Sequence, residues 1–207
     1  MARRTKQDAD ATRQALLDAA ELVFYDKGVA RASLAEIAQA AGATRGAIYW
    51  HFKDKLDLFN AMMDRVTLPL EEVCNSAEEM QRGEPLQRAR SVVQQLLEVI
   101  VDDAHTRRVL EIAMYRVEYV SELSGVRERH QASLERFRAL LERDLALAAK
   151  QAGVALPMAA GQAALGLQAL FDGLLQAWML GAAPFDLQAV GHGAVDAYLR
   201  GLGFSLR

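Results

Sequence analysis

A chain of 207 residues with 52% apolar and 25% charged side chains can bury a sizeable core, which excludes the disordered class. Its net charge of -3 excludes a globally basic nucleic-acid coat. The charge is unevenly split, however: residues 1–56 hold nine Lys/Arg and seven Asp/Glu, a net of +2, and the remaining 151 hold fifteen and twenty, a net of -5.

The single cysteine, Cys74, excludes an internal disulfide framework and any Cys-based metal site, and fits a reducing compartment. The opening "MARRTKQDAD" is basic but lacks the apolar run of a signal peptide. No eighteen apolar residues run uninterrupted, so a cytoplasmic protein with no membrane partner is expected.

The chain reads as all-α almost throughout, about nine helices, rich in Ala, Leu, Glu, Gln and Arg and without period-two alternation. The first helix is expected from about Ala11 to Lys27, with Leu16, Leu17, Ala20, Val23 and Phe24 on one face and Gly28 closing it. Ser33 and Glu36 form an S-x-x-E capping box for a second helix ending at Gly42. Thr44 caps a short third helix to about Phe52, and Asp54 a fourth that Pro69 kinks or ends. After the polar break "AEEMQRGEPLQR", an apolar stripe predicts a helix from Leu86 to Val101. Further helices are predicted over Arg107–Val120, from the Ser121–Gly125 break to about Gln151, over Met158–Leu180, and over Leu187–Leu202.

Residues 33–52 fit a helix-turn-helix. With Leu34 as position one, position five is Ala38, position nine Gly42 and position fifteen Ile48. Two helices crossing at a steep angle leave room for only a small side chain, the tight turn favours a residue of positive φ, and one apolar residue anchors the second helix. The second helix turns Thr44, Arg45, Gly46 and Tyr49 outward, where a soluble helix normally shows Glu and Lys. Gly46 weakens a helix by about 1 kcal/mol against Ala, which close approach to a groove would explain. Lys55 lies in the first turn of the next helix, against the macrodipole, where a phosphate would suit both. Arg3, Arg4 and Lys6 form a short basic arm able to follow a DNA backbone or enter a minor groove.

The stretch "LAEIAQAAGATRGAIYWHFKDK" resembles the DNA-binding segment of the TetR family of bacterial repressors. "TRGAIYWHF" is similar above all to the branch controlling multidrug efflux pumps, the AcrR and TtgR type. The resemblance extends to "RRTKQDADATRQALLDAAELVFYDKG" and, more weakly, to "TRRVLEI", "FDGLLQAW" and a C-terminal "FDL". It implies an all-α homodimer: a three-helix DNA-binding head over about residues 1–56, and a ligand-binding and dimerisation body over 57–207. It places Thr44, Arg45 and Gly46 near base edges and Tyr49, His51 and Lys55 on phosphates of double-stranded operator DNA, with Trp50 packed at the head's edge.

In the body, helix 158–180 carries Leu167, Leu170, Phe171, Leu174, Leu175 and Trp178 on a wide stripe. Ala159, Gly161, Ala163, Ala164 and Gly166 allow close helix approach, and with the last helix they suit a four-helix dimer bundle or, equally, the core of one subunit. Asp172 interrupts the stripe in "LFDGLLQAW": it either caps a structural network or lines a cavity taking cationic or hydroxyl groups, and the resemblance, which puts this position on a pocket, implies the cavity, with Gln176 one turn on. The resemblance adds Leu110 and Met114 at positions that are polar in TtgR-like pockets. Met62, Val93, Leu96, Val117 and Phe137 complete the predicted wall for a small hydrophobic inducer. The runner-up reading is a regulator of metabolism sensing an acyl-CoA or fatty acid. No catalytic motif emerges: His51, His105, His130 and His192 are scattered, with His105 and His130 expected at the surface, and no cofactor or metal site is expected.

Overall fold

The computed structural model describes residues 6–79, 84–117, 124–181 and 185–206. Among them run nine α-helices and no strand: α1 (Lys6–Lys27), α2 (Leu34–Ala40), α3 (Arg45–His51), α4 (Lys55–Glu79), α5 (Pro85–Asp102), α6 (Ala104–Tyr115), α7 (Ser124–Ala152), α8 (Ala160–Met179) and α9 (Leu187–Gly201).

The termini follow local chemistry. α1 begins at Lys6, earlier than its apolar stripe suggests, with Asp8 in the first turn where the macrodipole favours it. Gly28, at φ +81°, ends it. Ser33 and Glu36 make the expected reciprocal capping box of α2, and Gly42, at φ +65°, makes the turn. Thr44 caps α3, and Asp54 accepts the Asp57 N–H at 2.8 Å to open α4. The backbone of α4 is helical straight through Pro69, so that proline does not end the helix. Only Asp103 separates α5 from α6, a shorter connection than Asp102–Thr106.

Contacts gather the described residues into two compact units. One is drawn from residues 1–68 and 104–129, the other from 69–103 and 130–207. Helix α6, which the sequence reading places in the body, packs along α1 in the first unit. There Leu16, Leu17, Phe24, Ile37, Ile48, Phe52, Phe59, Val109 and Ile112 are buried, and the Phe24 and Phe59 rings meet at 5.9 Å. In the second unit α9 packs against both α5 and α8. Glycine permits both approaches: a Cβ on Gly191 would collide with Leu97, and one on Gly166 with Tyr198, whose hydroxyl donates to the Ala163 carbonyl at 2.9 Å. The small residues Ala163, Ala164 and Gly166 are thus occupied within the subunit. Leu165 and Val190, at 52% and 43% exposure, keep apolar side chains on the open faces of α8 and α9.

Candidate nucleic-acid interface and ligand wall

The helix-turn-helix is built as its spacing requires. Ala38 and Ile48 are buried, Ile37 completes their core, and the Ala43 N–H bonds the Ala38 carbonyl at 2.8 Å across the turn. Outside this core, Thr44, Arg45, Gly46 and Tyr49 are exposed on one side of α3. The Thr44 hydroxyl oxygen accepts the Ala47 N–H at 3.2 Å, which leaves its own proton free to be donated. The Arg45 guanidinium stands 5.9 Å from the Tyr49 ring centroid, one turn away. A Cβ on Gly46 would find only the Thr44 Oγ1, at 4.0 Å, so nothing within the protein demands a glycine there.

One neighbour differs from expectation. Trp50 does not pack at the head's edge: it is 72% exposed and touches His51 edge-on, ring centroids 4.5 Å apart. A seven-residue helix anchored by Ile48 has only one inward face, and Trp50 lies off it. Lys55 is half-buried, its ammonium donating to the carbonyls of Ala30 at 2.8 Å and Ala32 at 3.1 Å. That brace of the α1–α2 loop is a task the sequence does not advertise. His51 is half-buried, and Arg3 and Arg4 lie outside the described residues.

His105 is no free surface residue. Its Nδ1 meets the carboxylate of Glu21, which is 2% exposed and also receives Arg108 at 2.6 Å. The Val29 N–H donates to the Arg116 carbonyl at 3.0 Å, and the Arg116 guanidinium lies 5.6 Å from the Tyr25 ring. α6 is therefore tied to α1 near both ends. The side chain of His130 lies outside the described residues, and His192 stands 3.8 Å from Glu98.

The predicted ligand residues divide between the units. Met62 is buried in the first, where Leu110, Met114 and Val117 are half-buried on or just after α6. Val93, Leu96 and Phe137 are buried in the second, and the Phe137 ring meets that of Phe171 at 5.9 Å. Asp172 is half-buried, and burial raises its pKa. Gln176 departs from expectation: it is exposed, because four residues advance a helix slightly past one turn. One turn in the other direction, Gln168 is buried. A cavity of 370 Å³ opens elsewhere in the second unit, lined by Pro85, Leu86, Arg90, Ala148, Gln151 and Phe204 among others. It includes none of the predicted ligand residues, and its Arg90 already holds Asp196 in a bidentate pair at 2.6 and 2.8 Å. No cluster of potential metal ligands occurs among the described residues, and no helix there is long and apolar enough to cross a membrane.

Comparison with known proteins meets this geometry. Residues 16–62 match the model of bacterial regulatory proteins of the tetR family, and residues 84–204 that of the MAATS-type transcriptional repressor C-terminal region. The HTH-type transcriptional regulator TtgR of Pseudomonas putida is 36% identical over 180 residues, 87% of this chain and 86% of that protein. The crystal structure of NalD, the secondary repressor of the MexAB-OprM multidrug efflux pump in Pseudomonas aeruginosa, superposes with a TM-score of 0.84. Its identity is 35%, over 95% of this chain and 98% of that one. A complex of SmeT with triclosan gives a TM-score of 0.78 at 33% identity, over 92% and 91% of the two chains. SmeT is the repressor of the Stenotrophomonas maltophilia multidrug efflux pump SmeDEF. The chain, with its helix-turn-helix of α2 and α3 and its helical C-terminal region, belongs to the TetR family of bacterial transcriptional regulators.

Proposed function

We propose that this regulator is a cytoplasmic repressor of a multidrug efflux operon, released from its operator when a small hydrophobic compound binds its C-terminal region. The observation that carries the reading is the likeness to NalD over 95% of the chain, in a protein whose α3 turns a hydroxyl, a guanidinium, a phenol and an unencumbered glycine to solvent. Those groups suit a major groove: Arg45 and Thr44 for base edges, Tyr49 and His51 for phosphates, Gly46 for close backbone approach. The ammonium of Lys55 keeps one proton beyond its two carbonyls for a phosphate, and Arg3 and Arg4 precede α1 as a basic arm. The head of residues 1–56 supplies these groups and the body of 57–207 the rest.

A homodimer is part of the reading. One head engages one half-site, and the apolar side chains of Leu165 and Val190 on the open faces of α8 and α9 suit a bundle with a second copy. Asp172, Val93, Leu96 and Phe137 of the second unit supply a mostly apolar wall for an inducer. SmeT's complex with triclosan supports a hydrophobic phenol as a first test compound. The acyl-CoA alternative finds no comparable support, and a net charge of -5 beyond residue 56 disfavours a polyanionic ligand.

The test is fluorescence anisotropy on DNA flanking the protein's own gene, with a salt titration, and calorimetry with triclosan in the presence and absence of that DNA. A steep loss of affinity with salt and a ligand affinity weakened by operator are expected, because linkage makes the coupling reciprocal. Ligand affinity indifferent to operator would refute the inducer role.

A further inference from the structure

Gln168 stands on the buried face of α8, with Ala164 and Leu167 before it and Phe171 and Leu175 after it. It is 5% exposed, and its amide Oε1 accepts no hydrogen bond from any described residue. An acceptor withdrawn from water normally finds a donor, so an orphan of this kind calls for an explanation. The next turn repeats the pattern: Asp172 is half-buried and makes no hydrogen bond or ion pair with any described residue, and burial raises its pKa. As i,i+4 neighbours the two Cβ atoms lie about 6 Å apart on one helix face. Their surroundings are apolar and aromatic, with Phe171 against Phe137.

Two other polar groups withdrawn from solvent in this unit are engaged. Arg88 holds Asp144 through two hydrogen bonds at 3.0 and 2.9 Å, and the Tyr198 hydroxyl donates to the Ala163 carbonyl. Neither donates to Gln168.

We infer that Gln168 is a specificity-determining residue of the ligand wall, its Oε1 accepting a hydrogen bond from a hydroxyl or N–H group on an otherwise apolar aromatic compound. The inference rests on the proposed ligand-binding role of this region and names the chemistry it selects. Leu167 and the Phe137–Phe171 pair take the apolar body of the ligand, while Gln168 distinguishes a donor-bearing compound from its capped analogue. A site built around a hydrogen bond rejects a ligand lacking the donor far more strongly than an apolar pocket rejects a missing methylene. Asp172 offers a second polar group one turn away.

The experiment uses the full-length protein and a matched pair, 4-hexylphenol and its methyl ether 4-hexylanisole, with calorimetry on the wild type and on Gln168→Leu. Thermal melting of both proteins without ligand accompanies it. The wild type is expected to prefer the phenol by about tenfold or more. Gln168→Leu is expected to erase that preference, keep the ether's affinity, and melt no lower than the wild type, because removing an unpaired acceptor breaks no bond. A variant that keeps the preference overturns the inference. So does one that melts lower and loses both compounds alike, which would mark Gln168 as a structural residue holding an internal water. Wild-type protein that binds neither compound overturns it too. In that case release of the operator by other hydrophobic compounds would leave the repressor reading standing, and no release by any would remove that reading as well.

Discussion

Gly46→Ala separates what the protein needs from what its DNA partner needs. Gly46 is the second residue of α3, and an added methyl would meet only the Thr44 Oγ1, at 4.0 Å. Its backbone lies outside the positive-φ region, so alanine fits without strain. In a helix alanine is better than glycine by up to about 1 kcal/mol, and a position in the first turn realises about half to all of that. For a chain of this size such a gain raises Tm by about 1–4 °C. On DNA the sign reverses. If the backbone of α3 lies against the groove, a methyl there meets base edges or phosphates and costs about 1–3 kcal/mol per head, as overpacking does elsewhere. That is roughly 5- to 150-fold in affinity for each half-site. The assay pairs thermal melting with anisotropy on operator DNA at one fixed salt concentration. A higher Tm with unchanged operator affinity refutes close approach at Gly46; a lower Tm shows that α3 itself requires the glycine.

Asp144→Asn should destabilise by about 3–5 kcal/mol, because it strands the guanidinium of Arg88, 8% exposed, against a neutral amide. The double change Arg88→Met with Asp144→Leu should be much milder, and urea unfolding that ranks the double variant as badly as the single refutes the reasoning. Lys55→Met removes the donor to the Ala30 and Ala32 carbonyls and should cost about 1–3 kcal/mol of stability by urea unfolding. A salt slope for operator binding that also falls by about one unit registers a phosphate contact, whereas a slope change with no loss of stability refutes the brace. Hydrogen bonds from Lys27 and Ser33 hold the Glu36 carboxyl at about 2, below its usual 4.5. A depressed carboxylate pKa gives stability that is full above the unfolded value and lost as pH falls through the folded one. The stability difference between wild type and Glu36→Gln should therefore shrink between about 4.5 and 2, and a difference constant across acidic pH refutes it.

The head was legible because its constraints are local. The Ser33–Glu36 box, the positive φ of Gly42 and the buried Ile48 each follow from a residue type at a fixed spacing, and the structure places all three as expected. The outward face of α3 was legible by contrast, since an exposed helix without Glu or Lys is unusual. What escaped was long-range pairing. Glu21 and Asp144 lie in sequence between apolar core neighbours at i±3 and i±4: Leu17 and Phe24, Leu140 and Ala148. That phase alone announces burial, because a residue between two core positions on a helix shares their face. Their partners stay hidden, since Arg108 is 87 residues from Glu21 and Arg88 is 56 from Asp144. Lys55 was legible only in part, for a related reason. A cation in a first helical turn reads as a phosphate ligand, and only the folded loop reveals two carbonyls already within its reach.

Those carbonyls belong to a six-residue loop, 28–33, on which several constraints converge. Val29 bonds the carbonyl of Arg116 just after α6, Ala30 and Ala32 take the ammonium at the start of α4, and Ser33 opens α2 through its capping box. Lys27, the last residue of α1, pairs with Glu36 of that box at 2.7 Å. Near its other end α6 is held by the buried carboxylate of Glu21. Sliding α6 along α1 must therefore break the Glu21 pairs, break the Val29 bond, or carry the loop with it. The first is expensive because Glu21 is 2% exposed and would be left as an uncompensated buried charge. Carrying the loop moves the start of α4 and the cap of α2 together, and α3 with them through the shared core of Ile37, Ala38 and Ile48. An inducer works only through its differential affinity for two shapes. In the proposed repressor the helix-turn-helix would feel such a difference through a short run of backbone already hydrogen-bonded to both sides.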